Sequence, residues 1–336
     1  MMKALITGGT GYVGSSISSA FIDRGHTPVI LDSLDTGRDE FTLDKIFFKG
    51  DVGDTQLIKR ILQEHPDIEI IVHCAESAAV SQGLERPFEY YINNVVKTLN
   101  MLGAICETGR GKIIFCSSAS IYGDAPGYMA TESSPVNPRS PFSRSKYIIE
   151  MILKDFCGAY DMRCISLRCF NPIGADPHMR SGMQPKNPIN ILGRLIRVME
   201  GKEKSFSIFG VNWGTRDGTC IRDYTHVWDV AQAYVKAAEN FDRAFTKARL
   251  KDVGFLPLNI GSGIGVTVKE FVYAFENIVG ETIPVLTSKE RRPGDIAGSY
   301  ANVSAAKELI DWDAKMPMEE AILDAIKWEE MNKGFL

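Results

Sequence analysis

The chain has 336 residues, 44% of them apolar and 24% charged, with a formal net charge of −4. That is enough chain to bury a sizeable core, and the absence of any basic run excludes a general nucleic-acid binder. No apolar stretch reaches membrane-spanning length and the start runs directly into a strand pattern, so a soluble, cytoplasmic protein without a membrane partner is expected.

In chain order, "KALITGG" is a short apolar run ending in glycines, which suits a buried parallel strand. "TGYVGSSISSAFIDRGHT" then shows helical spacing through Val13, Ile17 and Phe21 and closes at Gly25, and "PVILD" is a second strand. Gly8, Gly11 and Gly14 lie between the first strand and the helix in a G-x-x-G-x-x-G spacing. Glycines there allow a tight turn and let backbone N–H groups approach a pyrophosphate. Asp32 ends the second strand where a ribose-binding carboxylate belongs. A carboxylate accepts from a free 2′-hydroxyl and repels a 2′-phosphate, so NAD is the expected cofactor.

Further strands are expected at "KIFFKGDV", "IEIIVHCA" and "GKIIFCSSAS", with helices at "DTQLIKRILQEH" and "YYINNVVKTLNMLGAICETG". This alternation predicts an α/β fold with a Rossmann-type, doubly wound parallel sheet. From "RCFNPIGADPHMRSGMQPKNP" onward Pro, Gly and Asn rise, as in a loop that crosses between domains and folds over a ligand. "ILGRLIRVMEG", "HVWDVAQAYVKAAENF", "TVKEFVYAFENIVG" and "MEEAILDAIKWEEMN" read as helices, "SFSIFG" as a strand, and "LPLNIGSG" as a strand returning to the main sheet. The expected organisation is a cofactor domain over 1–170, completed by roughly 222–262, and a smaller C-terminal α/β substrate domain largely over 171–336. The seven cysteines form no Cys-x-x-Cys pair and the five histidines are scattered, so core thiols in a reducing compartment and no metal are expected.

The segments "GGTGYVGS", "GDV", "VHCAE", "YYINNV", "CSSASIYG", "SPFSRSK", "RCFNPIGADP", "DGTCIRDYTHVWDVAQAY", "LNIGSG" and "RRPGDIAGSYAN" resemble the UDP-glucose (UDP-galactose) 4-epimerases, in order and over nearly the whole chain. These are extended members of the short-chain dehydrogenase/reductase superfamily. The resemblance implies a tightly held NAD, a UDP-sugar substrate oxidised transiently at carbon 4, and a homodimer formed through paired helices. It implies NAD contacts at Gly8, Gly11, Tyr12, Val13, Gly14, Asp32, Ser33, Asp51, Val52, Cys74, Ala75, Glu76, Asn94, Ser117, Lys146 and Cys169. It implies UDP-sugar contacts at Ser118, Asn171, Asn190, Ile191, Ser207, Phe209, Arg222, Tyr224, Arg292, Asp295 and Ser299. Two phosphates call for forked cationic donors, which suits Arg222 and Arg292. Sugar-nucleotide dehydratases, which need an extra acid and base, are disfavoured by Ala119 and Ser120 in "SSASIYG". Ser299 replaces a large tyrosine beside the sugar in plain-hexose enzymes, which leaves room for an N-acetyl group.

The resemblance breaks at one atom. The catalytic positions it implies are Ser118, 142 and Lys146, and Phe142 stands where a tyrosine would take the 4-hydroxyl proton. Phenylalanine keeps the ring and cannot accept a proton, so turnover by the usual route should fall by about 10²–10⁴-fold. Tyr147 points elsewhere on the same helix, and nothing in the sequence aims Tyr122 at a sugar. The favoured reading is a deliberate Tyr→Phe change that traps bound ligands. The alternatives are a natural variant that uses another base or does another redox reaction on a UDP-sugar, and a non-catalytic NAD/UDP-sugar binding protein.

Overall fold

Ala4 and Ile6 face one side of the first strand, β1 (Lys3–Thr7), Leu5 faces the other, and all three are fully buried. A strand buried on both faces needs helices on both sides, and the rest of the sequence supplies them. The computed structural model describes residues 1–77, 80–183, 188, 190–249, 254–292 and 294–332. β2 (Thr27–Asp32), β3 (Ile46–Lys49), β4 (Ile68–His73), β5 (Lys112–Ser118), β6 (Arg163–Cys169) and β7 (Phe255–Ile260) complete a seven-stranded parallel sheet. In space the strands run β3-β2-β1-β4-β5-β6-β7, so the winding reverses between β1 and β4. A crevice opens at such a reversal, outside the carboxyl ends of the strands.

One face is covered by α1 (Tyr12–Asp23) and α5 (Val227–Glu239), through Ile17, Ala20, Phe21, Val230 and Tyr234. The other is covered by α2 (Thr55–Glu64), α3 (Lys97–Glu107) and α4 (Pro141–Ala159), through Ile58, Ile61, Met101, Ile105, Ile149 and Leu153. Each fully buried Ile, Leu or Phe contributes about 1.5–3 kcal/mol against exposure. The expected return to the sheet at "LPLNIGSG" is β7, paired in parallel with β6.

The helix expected across "YYINNVVKTLNMLGAICETG" is not uniform. A short helix at Pro87–Tyr91 passes through a π-helical turn, Ile92–Val96, before α3 begins. The wider turn lets Asn94 reach back to the loop after β4, where it accepts from Ser77 N at 2.8 Å and donates to Ser77 O at 3.0 Å. Periodicity cannot register one inserted residue. The short helices Phe241–Ala248 and Ser304–Ile310 were also not expected from the pattern.

Much of the second half builds another core around Leu192, Leu195, Ile196, Phe206, Phe271, Phe275 and Ile322. Its strands are short, with Ile221–Arg222 flanked by Val266–Thr267 and by Gly298–Ala301, and Phe206–Phe209 paired with Val285–Ser288. Asp223, fully buried, ties these loops together by accepting from Ser262 N and Oγ, Gly263 N and Ala301 N. No helix among the described residues is long and apolar enough to cross a membrane.

Candidate active site

The glycine turn is built as its spacing requires. Gly8 adopts φ +72°, and a Cβ there would fall 2.6 Å from Ala75 N. A Cβ on Gly14 would fall 2.1 Å from the Gly8 carbonyl oxygen. Gly11 caps α1 without a side-chain acceptor, which leaves first-turn N–H groups for an anion. A cleft over this turn is edged by Gly8, Gly11, Asp32, Ser33, Asp51, Val52, Cys74, Ala75 and Glu76, nine of the expected cofactor residues. Asp32 is held at its rim by N–H donors from Thr10 (3.0 Å) and Leu34 (2.9 Å). The glycine cradle and this carboxylate fit a dinucleotide with a free 2′-hydroxyl.

Other expected cofactor residues point elsewhere. The Tyr12 phenol donates to Gly174 O at 2.8 Å, a tie to the second half of the chain. Val13 packs on the core under α1. The Ser117 hydroxyl donates inward to Glu150 at 2.6 Å, and the Cys169 thiol is buried against Tyr234. Asn94 braces the Ser77 loop from behind. The cleft also holds Asn93 and Lys97, which the sequence reading missed. Lys97 Nζ reaches Asp51 at 2.5 Å and Asn93 at 2.8 Å, and a lone lysine on a helix carries no signal of that placement.

The expected substrate residues converge more completely. Asn171, Asn190, Ile191, Ser207, Phe209, Arg222, Tyr224 and Arg292 all line one cavity, with Arg194, Phe206 and Cys220. Asp295 pairs with Arg292 at 3.0 Å and lies 3.9 Å from Arg222. Arg292 lies 5.7 Å from the Phe209 ring centroid. Asn190 also caps the helix Ile191–Met199 through Gly193 N. Ser299 is buried and stands opposite Arg222 in the parallel register.

At the start of α4, Ser140 and Ser143 form a reciprocal capping box around Pro141. This places Phe142 in the first turn and Lys146 one turn on, both on one side of the helix. The buried Lys146 Nζ donates to Cys116 O and contacts Glu76 Oε2. It lies 5.0 Å from the Phe115 ring centroid and 5.7 Å from that of Phe142. Ser118 ends β5, its hydroxyl accepting from Ser120 N at 3.2 Å.

Neither candidate tyrosine replaces the missing phenol. Tyr122 donates to Asn259 at 2.7 Å and accepts from Arg168 at 2.8 Å, and burial pushes it up to about 12. Tyr147 packs against the cluster around Ile121 and Phe170. His73 is held between Thr7 and Thr98, and burial pushes it down to about 3. His226 caps α5. Among the described residues no three His, Cys, Asp or Glu side chains gather as a metal site.

The profile of the NAD dependent epimerase/dehydratase family matches residues 4–250. Among curated proteins, the UDP-glucose 4-epimerase of Azospirillum brasilense is 34% identical over 97% of this chain and 92% of its own length. That of Bacillus subtilis is 35% identical over 98% of both. Among solved structures, a UDP-glucose 4-epimerase from Stenotrophomonas maltophila with bound NAD and formylated UDP-arabinopyranose superposes with a TM-score of 0.92 at 30% identity, covering all of both chains. The UDP-Glc/GlcNAc 4-epimerase of Campylobacter jejuni gives 0.82 at 31%, covering 98% of this chain and 100% of its own. With its dinucleotide cradle, its parallel sheet and this match along most of its length, the chain belongs to the NAD dependent epimerase/dehydratase family.

Proposed function

We propose that the protein interconverts UDP-glucose and UDP-galactose at carbon 4, and accepts the N-acetylated pair as well. The observation that carries this reading is the single cavity that gathers Asn171, Asn190, Ser207, Phe209, Arg222, Tyr224 and Arg292 from segments far apart in sequence. Two arginines with two aromatics and two amides suit a base, a diphosphate and a sugar. NAD, when bound, supplies reversible oxidation at carbon 4. The chain's own part is to hold the diphosphate through Arg222 and Arg292, to hold the 4-hydroxyl through Ser118, and to keep a cation, Lys146, beside the reacting centre. Buried Ala119 and the hydroxyl of Ser120 cannot supply the extra acid of a dehydratase. Titrating the NAD-loaded protein with UDP-galactose tests the reading, and saturable binding with slow conversion to UDP-glucose is the expected result. Failure to bind any UDP-sugar would end it.

The N-acetyl reading rests on Ser299, a small buried residue that stands in strand register with Arg222, which itself lines the cavity. Ser299→Tyr should weaken UDP-GlcNAc by about 10–100-fold while changing UDP-glucose little, read by competition binding. An equal loss for both sugars would mean that the residue acts only on packing. A homodimer fits the apolar stripe Phe88, Ile92, Val96 and Leu99, all exposed, with Met151 exposed on α4. Sedimentation should give twice the chain mass, and Leu99→Asp should return it to the monomer. Seven free thiols suit a reducing compartment such as the cytoplasm.

A further inference from the structure

The ammonium under Phe142 has a partner of opposite charge. Glu76 follows β4 in the loop that edges the dinucleotide cleft, between Ala75 and Ser77, and its side chain is 18% exposed. Its Oε2 is buried against Lys146 Nζ and meets no other donor. Phe142 presents its ring to the same ammonium. A lysine that serves a tyrosine does so by lending it positive charge. Here the charge is already shared with a carboxylate, and the phenol is missing. The two features are physically coupled, because a paired Lys146 would do less to ionise a tyrosine.

We infer that Glu76 accepts the proton in place of the phenol. The O–H bond at sugar carbon 4 breaks, and its proton forms a new O–H bond on a Glu76 carboxylate oxygen. In the return half the same proton goes back to the sugar oxygen. The accompanying two-electron oxidation is the one NAD supplies when bound. Lys146 holds the carboxylate ionised and in place before transfer. The groups that face Glu76 are Lys146 from α4, Cys116 from β5 and Tyr90 from the helix Pro87–Tyr91. Burial raises the Glu76 carboxyl to about 7 against the pull of Lys146, which is the range a general base needs near neutrality. Burial, and then Glu76 itself, push the Tyr90 phenol up, so it keeps its proton. This inference rests on the epimerase reading, and it favours a chain that works through another base over one with a deliberately deleted oxygen.

The test uses the full chain loaded with NAD. Glu76→Gln should lower UDP-galactose turnover by about 10²-fold or more while leaving the affinity for UDP unchanged. Removing one partner of a buried pair can unfold a protein, so Glu76→Asp is the second variant. It keeps a charge beside Lys146 and shortens the reach, and should lose turnover while retaining the melting temperature. A readout free of turnover comes from infrared difference spectra of the unmodified chain across about pH 6 to 8. A protonated-carboxyl band should titrate there and be missing from Glu76→Gln. The inference is overturned if both variants keep their turnover, if no carboxyl titrates in that range, or if Tyr90→Phe alone abolishes turnover. A chain that binds no UDP-galactose and gains nothing from Phe142→Tyr overturns the epimerase reading and this inference with it. A chain that gains from Phe142→Tyr but is indifferent to Glu76→Gln overturns the inference alone.

Discussion

Phe142→Tyr should raise the rate of UDP-galactose conversion by about 10²-fold or more, with UDP affinity unchanged. The added atom sits on a ring already held in the first turn of α4, 5.7 Å from the Lys146 ammonium, so no backbone has to move. A phenol there can ionise near neutrality only if Lys146 lends it charge, and Glu76 competes for that charge. The gain from Phe142→Tyr should therefore be larger in a Glu76→Gln background than in the unmodified chain. A double-mutant cycle on the turnover rate measures this coupling. Equal gains in the two backgrounds would mean that Glu76 and position 142 do not share Lys146. The pH profiles should separate as well. With Phe142, kcat/KM should rise with pH through about 7, because the Glu76 carboxyl must be ionised to accept a proton. The Phe142→Tyr, Glu76→Gln double variant should lose that step.

The fold, and the set of residues that line the candidate cavity, were largely legible, for different reasons. Strands such as β1 and β5 are buried on both faces and so carry unbroken apolar runs, with α1 and α2 announced by glycine and aspartate at their starts. The cavity residues came from the resemblance, since nothing local in Ser207 or Asn190 marks a ligand. What escaped was local geometry that depends on partners across the fold. Glu76 reads as one residue in "VHCAE", and only the folded chain brings it to a lysine 70 positions later. Tyr12 sits among the glycines, yet its hydroxyl is drawn to Gly174 because the second half packs over α1. Ser117 and Ser118 are neighbours on a strand and so face opposite sides, one inward to Glu150 and one to the end of β5. The π turn before α3 needed the Ser77 loop in place before Asn94 had anything to bond.

Glu150→Ala should cost about 3–5 kcal/mol of stability, more than any surface change in this chain. Glu150 lies one turn beyond Lys146, and it is only 3% exposed while its partner Arg168 is 6% exposed. It accepts from Arg168 Nε at 3.0 Å and Nη2 at 2.7 Å, and from Ser117 at 2.6 Å and Ser166 at 2.9 Å. Arg168 continues the network to the Tyr122 hydroxyl and Glu132 O, and Tyr122 passes it to Asn259 on β7. One carboxylate thus joins α4 to β5 and β6 directly, beneath the residues that would meet the sugar. Removing it strands a guanidinium and two hydroxyls out of water. Their desolvation is what the loss measures, since the pair itself gains little over an apolar contact. For that reason Glu150→Leu combined with Arg168→Met should recover most of the stability that either single change loses. Urea midpoints at unchanged slope would show it. If the double variant is as unstable as the sum of the singles, the network stabilises through its own attraction and not through the cost of breaking it. Either single change should also disturb turnover through the tilt of α4, whereas the restored double should return it, since none of these groups carries the proton.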